Sequence, residues 1–312
     1  MTDKATISPK ISATEAATIL NTTVQNIHKK IKNLNIEKSK TKNRVYFGHS
    51  VSKKIFNFQL VPKVFSFQLV KGGVGKTAIS YMFSIQSLLL GAKVALIEID
   101  QQANLTRSCG VNAADKPILA DIITQKLSFE EAMIPVIDGL DLLPSRVDNA
   151  LLDNILMLGK HPLDKVLAKP IQKLKKKYDL IVIDCPPSIG ASVAAAALAS
   201  DVIIMPVNPT DYSIAGLELT YNEIKELVNK YEKNPDIKIL FNKYDARTTL
   251  SFTVMSQLIK HPLFSSKMVQ SYIRINQGIE NSISKGKTIF DNIKSSPEKE
   301  DFLTTTRELL GL

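Results

Sequence analysis

The stretch Lys71-Gly72-Gly73-Val74-Gly75-Lys76-Thr77 constrains this chain more than any other. It is a phosphate-binding loop that departs from the standard G-x-x-x-x-G-K-[ST] spacing: Val70 stands where the first glycine belongs, and a lysine fills the next slot. Glycines at 72, 73 and 75 admit backbone angles closed to other residues, so the N–H groups from Gly72 through Val74 to Ala78 can turn toward phosphate oxygens. Lys76 would give the terminal phosphates a point charge, and the Thr77 hydroxyl would serve Mg2+. Residues 64–70 read as a buried strand and 79–90 as a helix closed by Gly91. A strand, a glycine loop and a helix N-terminus in succession make a site rather than an ordinary turn.

Beyond residue 63 the chain alternates between strand and helix. Apolar runs at 93–99, 179–184, 202–207 and 237–241 are short and bounded, as buried parallel strands are, and amphipathic stretches such as 217–231 separate them. The pattern predicts an α/β fold, a doubly wound and mostly parallel sheet with flanking helices, with the ligand at the carboxyl ends of the strands. Two aspartates fall at such ends. Asp184, after Leu180-Ile181-Val182-Ile183, would reach the mouth of the site and hold Mg2+ directly or through water. Asp100, after Ala95-Leu96-Ile97-Glu98-Ile99, could orient or activate an attacking water, or simply cap the next loop.

At 312 residues the chain has room for one large domain and a small one, expected at 63–312 and 1–62. The formal charge of +10 is uneven. Residues 1–63 hold 12 Lys and Arg against 3 acids, while the remainder holds 28 against 27. The basic excess therefore belongs to the N-terminal segment and suggests a polyanionic partner. Residues 1–10 lack the apolar core of a signal peptide, and no apolar run reaches about 18 residues, so a cytoplasmic protein is expected. Cys109 and Cys185 are far apart, and His28, His49, His161 and His261 are scattered, which points to neither a disulfide framework nor a metal cluster.

Within the basic segment, Ser12 with Glu15 fits a capping box, with Ala16, Ala17, Ile19 and Leu20 behind it. After a break at Asn21-Thr22, a second helix beginning near Thr23 would place Val24, Ile27, Ile31 and Leu34 at helical spacing. This is a helix-turn-helix candidate: Thr22, Thr23, Gln25 and Asn26 would face base edges, and Lys29, Lys30 and Lys32 would face phosphates. Residues 36–47 read as two short strands around a basic tip, a wing carrying Lys40, Lys42 and Arg44, and 50–58 as one more helix. A solvated helical cap or a dimerisation arm is the competing reading.

Four motifs carry a resemblance: Lys71 in the loop, Asp-Gln-Gln-Ala-Asn-Leu-Thr at 100–106, Ile-Asp-Cys-Pro-Pro-Ser at 183–188 and Tyr-Asp-Ala-Arg-Thr-Thr-Leu-Ser at 244–251. Together they resemble the ParA family of partition ATPases, grouped with MinD and the nitrogenase iron protein among deviant phosphate-loop ATPases. The likeness covers 64–312, and the N-terminal unit is similar to that of longer plasmid-borne members that repress their own operon. The resemblance implies ATP and Mg2+ as cofactors, with Lys71 reaching the phosphates of a partner subunit in an ATP-sandwiched homodimer. It further implies Lys76 and Thr77 on phosphate and Mg2+, Asp184 as the second metal group and Asp100 in hydrolysis. Asn242 would contact adenine, and Arg247 and Arg274 would bind DNA nonspecifically from the dimer. It also implies a centromere-binding partner of the ParB type that stimulates a slow ATPase, and a place on the nucleoid.

Two departures stand out: Gln101 occupies the family's usual proline position after Asp100, and Glu98 a usual aspartate position. Asn242-Lys243-Tyr244-Asp245 also fits the N-K-x-D of guanine-binding proteins, although the flanking motifs favour ATP. Other functions compete with partition. A nucleotide-regulated transcriptional repressor fits the same residues. A MinD-like membrane-positioning ATPase would need a cationic amphipathic tail that 298–312 lacks, and an iron–sulfur carrier would need different cysteine spacing.

Overall fold

The computed structural model describes residues 7–34, 39–41, 44–210 and 212–312. Ser12 opens the first helix with a reciprocal cap: its Oγ accepts from the Glu15 N–H (3.1 Å), and the Glu15 carboxylate accepts from the Ser12 N–H (2.7 Å). Strand β1 (Ile11–Ser12) thus leads into α1 (Ala13–Ile19), and α2 (Val24–Asn33) follows with Thr23 as its N-cap. Strands β2 (Ser39–Thr41) and β3 (Arg44–Phe47) pair antiparallel, β1 adds to β3, and α3 (His49–Phe56) follows. Helices and a strand pair occur where capping and spacing predict them, while residues 36–38 and 42–43 of the expected hairpin lie outside the described residues. Lys42 and the side chains of Lys40 and Arg44 lie outside the described residues.

The main sheet has eight strands in the order β11-β10-β9-β4-β8-β5-β7-β6. Its centre comprises β4 (Lys63–Phe67), β5 (Val94–Glu98), β8 (Leu180–Asp184) and β9 (Val202–Val207), in which every residue but Lys63 is buried. Helices on both faces explain why these runs are apolar throughout rather than alternating. Strands β10 (Asp236–Tyr244) and β11 (Met268–Arg274) extend one side in parallel. On the other side β7 (Leu140–Leu143) is parallel to β5, while β6 (Ile134–Ile137) pairs antiparallel at the edge, where Pro135 costs no ladder bond. Pro206 sits in a central strand, in register with Leu240 of β10 and beyond Ile204, where the β4–β9 register ends.

Helix α4 (Lys76–Leu89) leaves the glycine loop and crosses beneath the sheet, beginning three residues before the start predicted at 79 because the loop itself caps it. The short helices α5 (Asn104–Ser108), α6 (Leu119–Gln125) and α7 (Phe129–Ala132) follow β5. Next come α8 (Leu152–Leu158), α9 (Leu163–Val166) and α10 (Ala168–Leu174), and then α11 (Ala191–Ala199), α12 (Ser213–Lys230) and α13 (Thr249–Lys260). Helices α14 (Gln277–Ser284) and α15 (Pro297–Leu310) close the chain.

Twelve of the fourteen α4 residues are buried, because α4 has the sheet on one side and the N-terminal unit and α15 on the other. Phe83 lies on Phe65 and Phe67 with ring centroids 5.1 and 5.8 Å apart. One apolar core runs from Ile11, Ile19 and Ile55 through Leu88 and Leu89 to Phe302. Gly91 at the end of α4 has φ +98, and a Cβ there would stand 2.8 Å from the Lys53 Cα, so glycine permits α3 to dock.

Candidate nucleotide site

The loop closes against β10. Gly75 is the α4 N-cap with φ +90, and a Cβ there would lie 2.7 Å from Asn242 Nδ2. Asn242 is buried and donates from Nδ2 to the Val74 carbonyl (2.8 Å), so the expected base-contacting residue also braces the loop. Lys76 is folded inward, with Nζ donating to the carbonyls of Leu69 (3.0 Å) and Lys71 (3.3 Å). Burial lowers its pKa, and the carboxylates of Asp184 and Asp100 oppose that fall. The ammonium therefore belongs to a local charge balance that a phosphate would complete.

Asp184 ends β8 with no exposed surface. Its Oδ1 accepts from Ser80 Oγ (3.1 Å), whereas Oδ2 has no hydrogen-bond partner among the described residues. Burial pushes its pKa up to about 7, against the nearby Thr77 and Ser80 hydroxyls. An unpaired buried carboxylate oxygen beside a threonine hydroxyl at the end of a phosphate loop fits Mg2+, a cation bound through few protein groups plus water and substrate phosphates. No cluster of three or more His, Cys, Asp or Glu suited to a metal occurs among the described residues.

Asp100 is 6 % exposed, and its Oδ1 accepts from the Gln102 N–H (2.9 Å). The Ala103 N–H closes the turn onto the Asp100 carbonyl (3.1 Å), so the loop is held without the proline that Gln101 replaces. Beneath it, Glu98 clamps the start of α5 by accepting from the N–H groups of Leu105 (2.8 Å) and Thr106 (2.7 Å) and from Thr106 Oγ1 (2.5 Å). Thr106 Oγ1 also accepts from the Ser145 N–H (2.9 Å), and Asn149 Nδ2 donates to Ser145 Oγ (2.8 Å). Burial, then the neighbouring Asp184, push the Glu98 pKa up to about 8. The longer side chain at this second departure ties the Asp100 loop to the 145–149 segment.

The cleft has a volume of about 820 Å3, in the range of small-molecule and cofactor sites. Its walls include Gly72, Gly73, Gly75, Lys76, Thr77, Ala78 and Asp100. The opposite wall was not legible in the sequence. Lys243, in left-handed conformation (φ +56), pairs with Glu280 of α14 at 3.3 Å, and Ile283 and Ser284 continue that wall. Arg107, bonded to Asn104 Oδ1, lies at the rim. Residues 100–106 form a local motif, but nothing local in the chain links residue 243 to residue 280.

Other candidates lie apart from the cleft. Lys71 donates to Thr210 Oγ1 beside the start of α12 in its own chain. Arg247 is held by Asp245 (2.8 Å), and Arg274 by Asp301 and the Pro297 carbonyl (2.9 Å), both at the carboxyl end of β10 and β11. At the start of α2, Gln25, Asn26 and Lys29 are exposed, while Thr22 accepts from Asn26 Nδ2 (3.0 Å) and Thr23 caps the Asn26 N–H (3.2 Å). Lys30, expected on phosphate, donates to the Ile55 carbonyl instead and ties α2 to α3.

Known proteins resemble this chain over most of its length. A family profile described as an AAA domain matches residues 62–239. The virulence plasmid ParA family protein pGP5-D of Chlamydia psittaci is 32% identical over 245 residues, covering 77% of this chain and 91% of that protein. The sporulation initiation inhibitor protein Soj of Bacillus subtilis is 30% identical over 244 residues, covering 77% and 94%. Among solved structures, a plasmid partition protein of Borrelia burgdorferi bound to AMPPNP shares the fold with a TM-score of 0.67 at 22% identity, over 80% of this chain and 99% of that one. The ATP complex of a point variant of Cyanothece McdA does so with a TM-score of 0.72 at 19% identity, over 81% and 98%. The phosphate loop, the two strand-end aspartates and these likenesses place the chain in the ParA family of partition ATPases.

Proposed function

We propose that the protein is an ATP-driven DNA segregation switch: Mg2+–ATP closes a homodimer, the dimer binds DNA nonspecifically, and a ParB-type centromere-binding partner stimulates hydrolysis and release. The observation that carries this is the convergence of Lys76, Thr77 and Asp100 on one cleft, with the fully buried Asp184 carboxylate behind it, bonded to Ser80 and acting on Lys76. Thr77 and Asp184 would hold Mg2+, which supplies charge neutralisation on the phosphates. Lys76 exchanges its two carbonyl partners for phosphate oxygens. Asp100, with one oxygen committed to Gln102, orients the attacking water with the other. Lys71 leaves Thr210 to reach the phosphates of the second subunit, so assembly and nucleotide state are linked through one side chain.

Adenine rather than guanine is favoured by Asp245. In an N-K-x-D site that carboxylate must face the base, but here the backbone N–H, Nε and Nη2 of Arg247 occupy it, and these bonds hold its pKa down at about 2. The N-terminal unit, with its basic excess, is assigned to an operator through Thr22, Thr23, Gln25, Asn26 and Lys29, and through Lys40, Lys42 and Arg44 of the hairpin. Release of Arg247 and Arg274 from their acidic partners would supply the nonspecific contacts. No helix among the described residues is long and apolar enough to cross a membrane, and α15 buries Phe302 in the core rather than offering a free amphipathic face. A cytoplasmic, nucleoid-associated protein follows from this reading.

DNA binding by the wild type and Lys76→Ala without nucleotide, with ADP and with ATP tests the proposal. ATP-dependent, sequence-independent binding that the variant loses is the expected result. Sequence-specific binding indifferent to nucleotide would instead favour a plain repressor.

A further inference from the structure

A second cavity, of about 410 Å3, lies on the far side of α4 from the sheet. It is bounded by α1, by the second half of α4 and by α15, so it sits where the N-terminal unit meets the nucleotide-binding body. Ile11, Ile19, Leu89, Phe290 and Leu303 give it an apolar lining. Set into that lining are Gln86 and Lys299, each 4% exposed.

The polar capacity of these groups is mostly unused. Among the described residues the Gln86 carboxamide makes no hydrogen bond, and it is not one of the sealed unpaired groups, so it is open to the cavity. Lys299 Nζ donates to the Asn292 carbonyl, which leaves further N–H groups free, and burial lowers its pKa. Lys10 brings a second ammonium to the wall, with only its backbone N–H committed, to the Phe290 carbonyl (3.0 Å). Two carboxylates border the cavity as well, and one of them, Glu15, acts with Glu298 and Asp291 on the Lys299 ammonium against the fall in its pKa. Glu15 accepts from the Ser12 N–H and Oγ (2.7 Å each), and Glu300 stands 3.9 Å from the Arg274 guanidinium. What remains is donor-rich at one end and apolar elsewhere.

We infer that this cavity is a binding site for a small amphipathic anion, a carboxylate on an apolar tail of about six to eight carbons. The carboxylate would accept from Lys299, Lys10 and the Gln86 amide, and the tail would lie along Ile19, Leu89 and Leu303. A ligand so held would bridge α1, which carries the N-terminal unit, and α4, which begins at the phosphate loop. Neither Lys299 nor Gln86 touches the nucleotide cleft, so the two sites are separable by mutation.

Calorimetric titration of the full chain with hexanoate and octanoate, and with 1-octanol as the uncharged analogue, tests the assignment. The expected result is saturable one-to-one binding of octanoate, at least about tenfold tighter than 1-octanol, as loss of hydrogen bonds to a charged group implies. Lys299→Met should weaken octanoate binding by about tenfold or more. Thr18→Trp, placed at the exposed rim so that the core is untouched, should block the cavity and abolish binding while leaving ATP binding unchanged. No saturable binding of either carboxylate, equal binding of octanoate and 1-octanol, or wild-type affinity in both variants would overturn the proposal.

Discussion

Lys76 and Asp100 line one cleft and Asp184 is buried behind it, and their environments separate them. Removal of the ammonium in Lys76→Ala should abolish nucleotide binding, read as loss of ATP-induced thermal stabilisation. Asp100→Ala keeps every group that holds phosphate, so ATP should still bind while turnover falls by about a hundredfold or more in single-turnover assays, the usual range for a lost acid–base or orienting residue. The Lys71–Thr210 contact predicts the opposite kind of change. Thr210→Val removes a resting partner of Lys71 and should favour ATP-dependent association by about tenfold, since a hydrogen bond to a charged group contributes about 1.5 kcal/mol. Unchanged association would mean that Lys71 is not held back there.

Glu98 gives the residue scale a pH signature. Its pKa rises from 4.5 to about 8 on folding, so the folded state binds a proton that the unfolded state has released across that interval. A group with a raised folded pKa contributes stability that is present below its unfolded value and lost as pH rises through its folded one. The nucleotide-free protein should therefore lose stability as pH is raised toward about 8, and Glu98→Gln should flatten that slope in thermal melts at several pH values. A slope equal in both proteins would show that Glu98 folds as an ordinary carboxylate.

At the scale of elements, α4 joins the two halves of the molecule. Its first turn is the phosphate loop, and its last turns are covered by α1, α3 and α15. Gly91 marks that junction. Gly91→Ala places a methyl against the Lys53 backbone at a positive φ, and a loss of about 2–4 kcal/mol is expected, read as a lowered Tm with hydrogen exchange increased across 49–56. Strands and helices of this kind were legible in the chain for clear reasons. Unbroken apolar runs such as Val202–Val207 have no other stable arrangement, and Ser12 with Glu15 satisfies its own helix end. Much of the site was equally legible, because Asp184 ends a strand and Asp100 and the Lys71–Thr77 loop come soon after one. The wall made by Lys243 and Glu280 was hidden, since it depends on how α14 folds back over the cleft after the chain has left β11. The engagement of Arg274 by Asp301 was hidden for the same reason, as a contact between distant elements.

For the whole molecule, the charge asymmetry and the continuous core have a joint consequence. A basic N-terminal unit docked on the helix that starts at the phosphate loop need not move independently of the nucleotide site. The cavity between them offers a place where that docking could be tuned. Above this stands assembly, the claim on which the functional reading depends most. Light scattering of Asp100→Ala, which should retain ATP, measures it directly in the presence of Mg2+ with ATP or ADP, beside the double variant that also carries Lys71→Ala. A doubling of mass with ATP alone, lost when Lys71 is removed, is the predicted result. A mass indifferent to nucleotide, or a dimer that forms equally well without Lys71, would contradict it.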